Sequence, residues 1–181
     1  MQRYHDTEWG RPLFDDRKIL QAFFLDTFQA GLSWAIILSK KNNFKKAFAN
    51  FNVEKIAAYG RGEVRHLMGN SGIIRNRRKI EAAVNNAQKI LAIKNEYGTF
   101  AKYLWQFTHG KTIHHVFCRL GDVPATSKEA KAMSKDMRTR GFKFVGPTTI
   151  YALMQGIGMV NDHLVSCFCY QEVKKASSRR F

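Results

Sequence analysis

The chain has 181 residues, 45% of them apolar and 13% aromatic, which is enough for one domain or two small lobes around a real core and argues against disorder. No apolar run approaches the roughly 20 residues of a membrane span, and the N-terminus has neither an apolar signal core nor a cleavage site. Lysine and arginine number 30 against 14 acidic residues, for a formal charge of +16; an enzyme of neutral metabolites has no use for such self-repulsion, and nucleic acid is the first candidate partner.

Cys118, Cys167 and Cys169 are too few and too uneven for a disulfide framework, so a reducing, cytoplasmic setting is expected, with the protein a monomer and no membrane partner. In chain order, Tyr4 to Gly10 (YHDTEWG) reads as a loop crowded with aromatic, imidazole and acidic groups. Asp15 or Asp16 can cap a helix in which Ile19, Leu20, Phe23, Phe24, Leu25 and Phe28 leave hardly any polar face, the pattern of a helix buried on most sides. Asp26 sits in its midst. An unpaired carboxylate there costs several kcal/mol or so unless it finds donors, faces a cavity or stays protonated. Gly31 breaks the helix, Ser33 can cap the next, and Trp34 lies in its first turn.

Amphipathic helices follow around Phe44, Phe48 and Phe51, from Asn52 to Tyr59, and over about 62–68. The run GNSGIIRNRRK (69–79) predicts a glycine-bounded hairpin feeding a long helix with Ile80, Ala83, Val84, Ala87, Ile90 and Leu91 on one face. Phe100, Tyr103, Leu104 and Phe107 mark another. Residues 109–126 are the least regular, a long loop with a little extended structure. Ser127 to Arg140 is helical, with Lys128, Lys131, Lys135 and Arg138 on one face, and Pro147 opens a further helix at its first position. The fold expected is all-α.

Three constellations carry chemistry. The hairpin Asn70, Ser71, Gly72 and Ile73, with Arg75, Arg77 and Arg78 beside it, offers backbone N–H groups and a helix start to a DNA phosphate, a contact that positions without reading sequence. His163 and Cys167, four apart, would share a helix face and ligate one ion, zinc being the natural choice, with His5 as a third ligand and Cys169 nearby; a small apolar cysteine beside a satisfied histidine is the plainer reading. Asp26 with Trp34, Tyr4 and Trp9 would hold a flat, electron-poor heterocycle, against the plainer alternative of core aromatics and a capping aspartate.

With those residues laid out, the chain resembles the DNA-3-methyladenine glycosylase I family of bacterial type. The matching blocks are YHDTEWG (4–10), FQAGLSW (28–34), SGIIRNRRKI (71–80), RGFKFVGPTTIYALMQGIGMVNDH (140–163) and SCFCY (166–170). The resemblance implies a helix-hairpin-helix glycosylase fold, one domain over 1–173 with the hairpin motif at about 62–93, and a basic, frayed tail over 174–181. It implies a monofunctional DNA repair hydrolase that flips 3-methyladenine out of alkylated duplex DNA and releases it as the free base. Trp34 and Tyr4 fall where the family stacks the extruded base, Trp9 lies beside them, and Asp26, the candidate catalytic residue, falls where the family has a base-contacting glutamate. His5, His163 and Cys167 fall on three of the four ligands of a structural zinc that staples the chain ends.

Two departures stand out. The family's fourth ligand, a cysteine upstream of the YHD block, has no counterpart in these residues: either the start is misassigned or trimmed, or Cys169 or water completes the site, or zinc is absent. Asp26 is one methylene shorter than glutamate and stands back by about 1.5 Å. The rival readings are a lesion-binding protein of the same fold that leaves the glycosidic bond intact, and a zinc-dependent hydrolase.

Overall fold

The computed structural model describes residues 1–177. In those residues the chain forms α1 (Gln2–Thr7), α2 (Asp16–Gln29), α3 (Trp34–Ser39), α4 (Lys41–Ala47), α5 (Val53–Ala57), α6 (Arg61–Gly69), α7 (Arg77–Tyr97), α8 (Phe100–Trp105), α9 (Lys128–Thr139), α10 (Pro147–Gly156) and α11 (Phe168–Ala176). Two short strands, β1 (Ile113–His114) and β2 (Val160–Asn161), pair in parallel. The all-α expectation holds, with that small pairing as the extended structure in the irregular 109–126 stretch.

Helix α2 runs through the centre. Asp15 caps it by accepting the Lys18 N–H at 2.8 Å, and the Asp16 carboxylate accepts the amides of Phe100 and Ala101 at 3.2 and 2.7 Å, fixing the start of α8 against the start of α2. Its phenylalanines pack edge-to-face or tilted on rings from the rest of the chain: Phe23 on Phe100 and Phe142, Phe28 on Phe44 and Phe48. Each ring so buried contributes about 1.5 to 3 kcal/mol.

The long helix α7 starts on the cap of Asn76, which accepts the Lys79 N–H at 3.2 Å, and buries Ile80, Ala83, Ala87 and Ile90. Lys79 itself is buried, and its Nζ donates to the carbonyls of Phe28 and Ala30 at 2.7 and 2.6 Å. That ammonium satisfies carbonyls left open at the C-terminal end of α2, and it binds the start of α7 to the turn before Trp34. Ser127 caps α9 by accepting the Ala130 N–H, and Pro147 takes the first position of α10, both as the sequence predicts.

Three local expectations are corrected. Residues 2–7 are helical, not a loop; α1 buries none of its residues and is held by what packs around it. His163 and Cys167 lie not on a helix but in the tight turn before α11, closed by the Cys167 N–H to the Leu164 carbonyl at 2.8 Å. Lys174, Lys175 and Ala176, placed in the basic tail, belong to α11, and Ser177 follows as its C-cap; the rest of that tail, 178–181, lies outside the described residues.

Candidate functional site

Tyr4, Trp9, Asp26 and Trp34 come together as walls of one cavity of about 310 Å³, completed by Met1, His5, Gln29, Ala152 and Gln155. Each arrives from a different element. α2 delivers Asp26, Gly31 at φ +77 turns the chain, and Trp34 opens α3. Tyr4 comes from α1, and its ring meets Trp34 with centroids 5.4 Å apart and planes tilted by 49°.

Asp26 is 6% exposed, and no hydrogen bond acts on its carboxyl among the described residues. Burial pushes its pKa well above the ordinary carboxylate range, because removing the anion from water is not offset by any donor. Trp34 Nε1 is also buried without an acceptor. Tyr4 is driven the same way, by burial first and then by the charges of Asp26 and Glu8, so its hydroxyl stays protonated. Polar groups left unpaired against a cavity are an arrangement a ligand can satisfy.

Beside this cavity the two ends of the chain meet in a second cluster. One ligand atom each from His5, His163, Cys167 and Cys169 lies within 4.8 Å of the others, with Cys167 Sγ 3.8 Å from His5 Nε2 and 3.9 Å from His163 Nδ1. Both imidazoles are aimed by their other nitrogen. His5 Nδ1 donates to Asp6 Oδ1 at 2.8 Å and His163 Nε2 to the Trp9 carbonyl at 3.3 Å, assignments that follow because both partners only accept. In the neutral imidazole the nitrogens facing the sulfurs are then the bare ones, as metal ligation requires. Burial lowers the His163 pKa, keeping it neutral, and raises the Cys169 thiol to about 11, with the Cys167 charge adding to it. Gly10, at φ +75, lets the chain pass this close, since a Cβ there would fall 2.7 Å from His163 Nε2.

The third element is the turn between α6 and α7. Asn70 Oδ1 accepts the Gly72 N–H at 2.9 Å, and Lys40 Nζ donates to the carbonyls of Ser71 and Gly72. Ile73 is buried beneath it while Ser71, Arg75, Arg77 and Arg78 stand exposed.

The methyladenine glycosylase family profile matches residues 1–170. The chain belongs to that family. This family member is 42% identical over 166 residues to a DNA-3-methyladenine glycosylase of Haemophilus influenzae, covering 92% of this chain and 90% of the relative. It is 39% identical over 167 residues to DNA-3-methyladenine glycosylase 1 of Escherichia coli K12, covering 92% and 89%. Among solved structures it superposes on 3-methyladenine DNA glycosylase I of Staphylococcus aureus with a TM-score of 0.90 at 34% identity, covering 99% of this chain and 92% of that one.

In this methyladenine glycosylase-family chain the sequence-predicted residues thus fall into three groups. The aromatic-carboxylate set and the His/Cys set adjoin, sharing His5 and Trp9: Trp9 lines the cavity, and its ring meets that of His163 edge-on at 4.6 Å. Gln29 and Gln155 had escaped sequence reasoning. Gln155 Nε2 donates at 2.8 Å to Asp162, a buried carboxylate that also accepts from Tyr151 Oη and His115 Nδ1, each at 2.6 Å. Burial pushes Asp162 up, but those hydrogen bonds outweigh it and hold the carboxyl below its ordinary range. Gln155 thus lines the cavity with its amide held by Asp162.

Proposed function

We propose that this protein hydrolyses the N-glycosidic bond of 3-methyladenine in alkylated duplex DNA and releases the free base. The observation that carries the reading is a buried carboxyl without a partner, set between Tyr4, Trp9 and Trp34 in a cavity of about 310 Å³. That volume lies at the small end of ligand pockets, about 300 to 1,000 Å³.

Methylation at N3 places a positive charge on the purine, which makes it a good leaving group before any protein acts. The chain's part is to receive the flipped nucleotide, a step costing a few kcal/mol and least for a damaged pair, and to hold the cation. Ring faces of Tyr4 and Trp34 attract it by about 0.5 to 2 kcal/mol each. Asp26 adds opposite charge and an acceptor for the exocyclic amine. When the C1′–N9 bond breaks, its electron pair leaves with the base, which becomes neutral; water adds to C1′ and releases a proton. Asp26 and the flanking phosphates face the cationic sugar in that interval. Neutral lesions, which need leaving-group activation, are poor substrates on this account. Every wall of the pocket comes from one chain, so a monomer suffices.

The turn at 70–74 serves as the phosphate-gripping hairpin of a helix-hairpin-helix motif, with Arg75, Arg77 and Arg78 supplying charge. The four-residue cluster fits zinc: two bare imidazole nitrogens and two sulfurs form a donor set of the closed, structural kind. His5, His163, Cys167 and Cys169 would hold the ion. It would supply cross-linking of the chain ends and no chemistry to the reaction.

The test is chromatography of base released from methylated duplex DNA. Wild-type protein yields free 3-methyladenine and an intact strand bearing an abasic site; no release above a Trp34→Ala control overturns the enzymatic reading, and tight lesion binding without release leaves a binding protein in its place.

A further inference from the structure

Behind the base pocket lies a second, larger cavity of about 720 Å³ that shares Tyr4, Asp26 and Trp34 with it. Asp26 therefore stands between two spaces rather than at the end of one. The larger cavity follows α2 backward from the carboxylate past Ala22 to Lys18, eight residues or about 12 Å along the helix. The opposite, C-terminal end of α2 is bound through Lys79 to the start of α7. Along α2 the cleft thus leads away from the α6–α7 turn, while its facing wall, Leu38, Lys41 and Lys45, belongs to the corner whose Lys40 holds that turn.

Its lining changes along its course. Near Asp26 the walls are Ala22, Leu25, Leu38 and Phe51; at the outer rim stand Arg17, Lys18 and Lys45, all exposed and in no ion pair among the described residues, outnumbering Asp15 beside them, while Glu8 is paired with Lys41. The inner stretch suits a flat apolar purine, and the rim repels cations while admitting a neutral molecule. The two forms of the base differ in that respect: it is cationic while bonded to the sugar and neutral once the bond has broken.

We infer that this cleft is a second mouth of the base pocket, through which the neutral free purine leaves while the abasic strand still covers the first. The inference rests on the pocket's reading as a 3-methyladenine site. It makes Asp26 and the Tyr4–Trp34 pair a partition that favours the cationic base on the DNA side and releases the neutral one rearward.

The experiment follows exchange of free 3-methyladenine by tryptophan fluorescence, in the full chain alone and in the chain saturated with duplex carrying a non-hydrolysable abasic analogue. Exchange in the DNA-bound protein should match that of the free protein. Ala22→Trp, which fills the cleft, should slow it about tenfold, equivalent to roughly 1.4 kcal/mol of added barrier, only when DNA is bound, with single-turnover excision unchanged. Gln21→Trp, on the half-buried flank of α2, serves if Ala22→Trp does not fold. Exchange that DNA abolishes in the wild type, or that neither variant slows in the complex, overturns the second mouth. Failure of the free protein to bind 3-methyladenine at all overturns the pocket reading itself, a separate outcome.

Discussion

The rings of Tyr4 and Trp34 meet at 49°, not face to face, so the two walls they give the cavity form a wedge instead of a closed stack. A flat ligand can lie on either face without first prising the pair apart. Loss of a stacking face costs about 1 to 3 kcal/mol per base. Trp34→Ala should therefore lower kcat/KM for 3-methyladenine excision by about 5- to 150-fold, with Trp34→Phe retaining most of the activity; equal activity in all three proteins would remove Trp34 from the site.

Asp26 gives two pH signatures of defined sign. Burial raises its pKa in the folded chain, so stability is highest where both folded and unfolded forms are protonated and falls as pH rises from the ordinary aspartate range toward the raised value. Asp26→Asn should remove that slope and stabilise the protein near neutral pH by about 0.5 to 2 kcal/mol. Excision should move the opposite way, rising with pH as the carboxylate forms to face the cation, and flattening in Asp26→Asn. Thermal melts and kcat/KM profiles over the same pH range check both.

Asp26→Glu extends the carboxylate by one methylene into the cavity. It should preserve or raise 3-methyladenine release, and a large loss would mean that the pocket has been fitted to another base.

Zinc, if held as the donor set suggests, is part of the fold. Chelation should lower Tm together with metal content, each kcal/mol lost corresponding to about 2 to 4 °C in a chain of this size. Cys167→Ser and Cys169→Ser should each reduce bound zinc measured by elemental analysis, whereas Cys118→Ser, at an exposed position, should not. Normal zinc content in Cys169→Ser would leave that sulfur outside the site.

The exposed arginines after the hairpin should act on DNA affinity alone. Arg75→Ala or Arg78→Ala is expected to shallow the log–log salt dependence of duplex binding by about 0.9 for each phosphate contact removed, while affinity for free 3-methyladenine stays the same. An unchanged slope would place the duplex elsewhere.

Much of this architecture was legible because short-range rules governed it. Asp15, Asn52, Asn76 and Ser127 cap their helices through bonds three residues on, as their side chains dictate, and the uninterrupted apolar faces of α2 forecast its burial. The pairing of β1 with β2, by contrast, joins residues 47 apart in two-residue strands, too short for any alternation to register. His163 and Cys167 converge by a turn, not the helical spacing expected of them; the partnership was legible, its geometry was not. Gln155 was hidden for another reason: Asp162, which orients it, lies past the end of α10 in the turn that follows β2, and no helical or strand spacing marks that pair.

The contact of α1 with the segment leading into α11 has a consequence for how the pocket is kept. Tyr4 rides on a helix none of whose residues is fully buried, and the residues that adjoin it through His5 and Arg11 are His163, Cys167 and Glu172. Segments with few buried contacts open locally at the lowest free energy. The wall that Tyr4 forms therefore depends on a turn far along the chain, and loosening that His/Cys junction opens the cavity at Tyr4 while Asp26 and Trp34, carried by α2 and α3, stay in place.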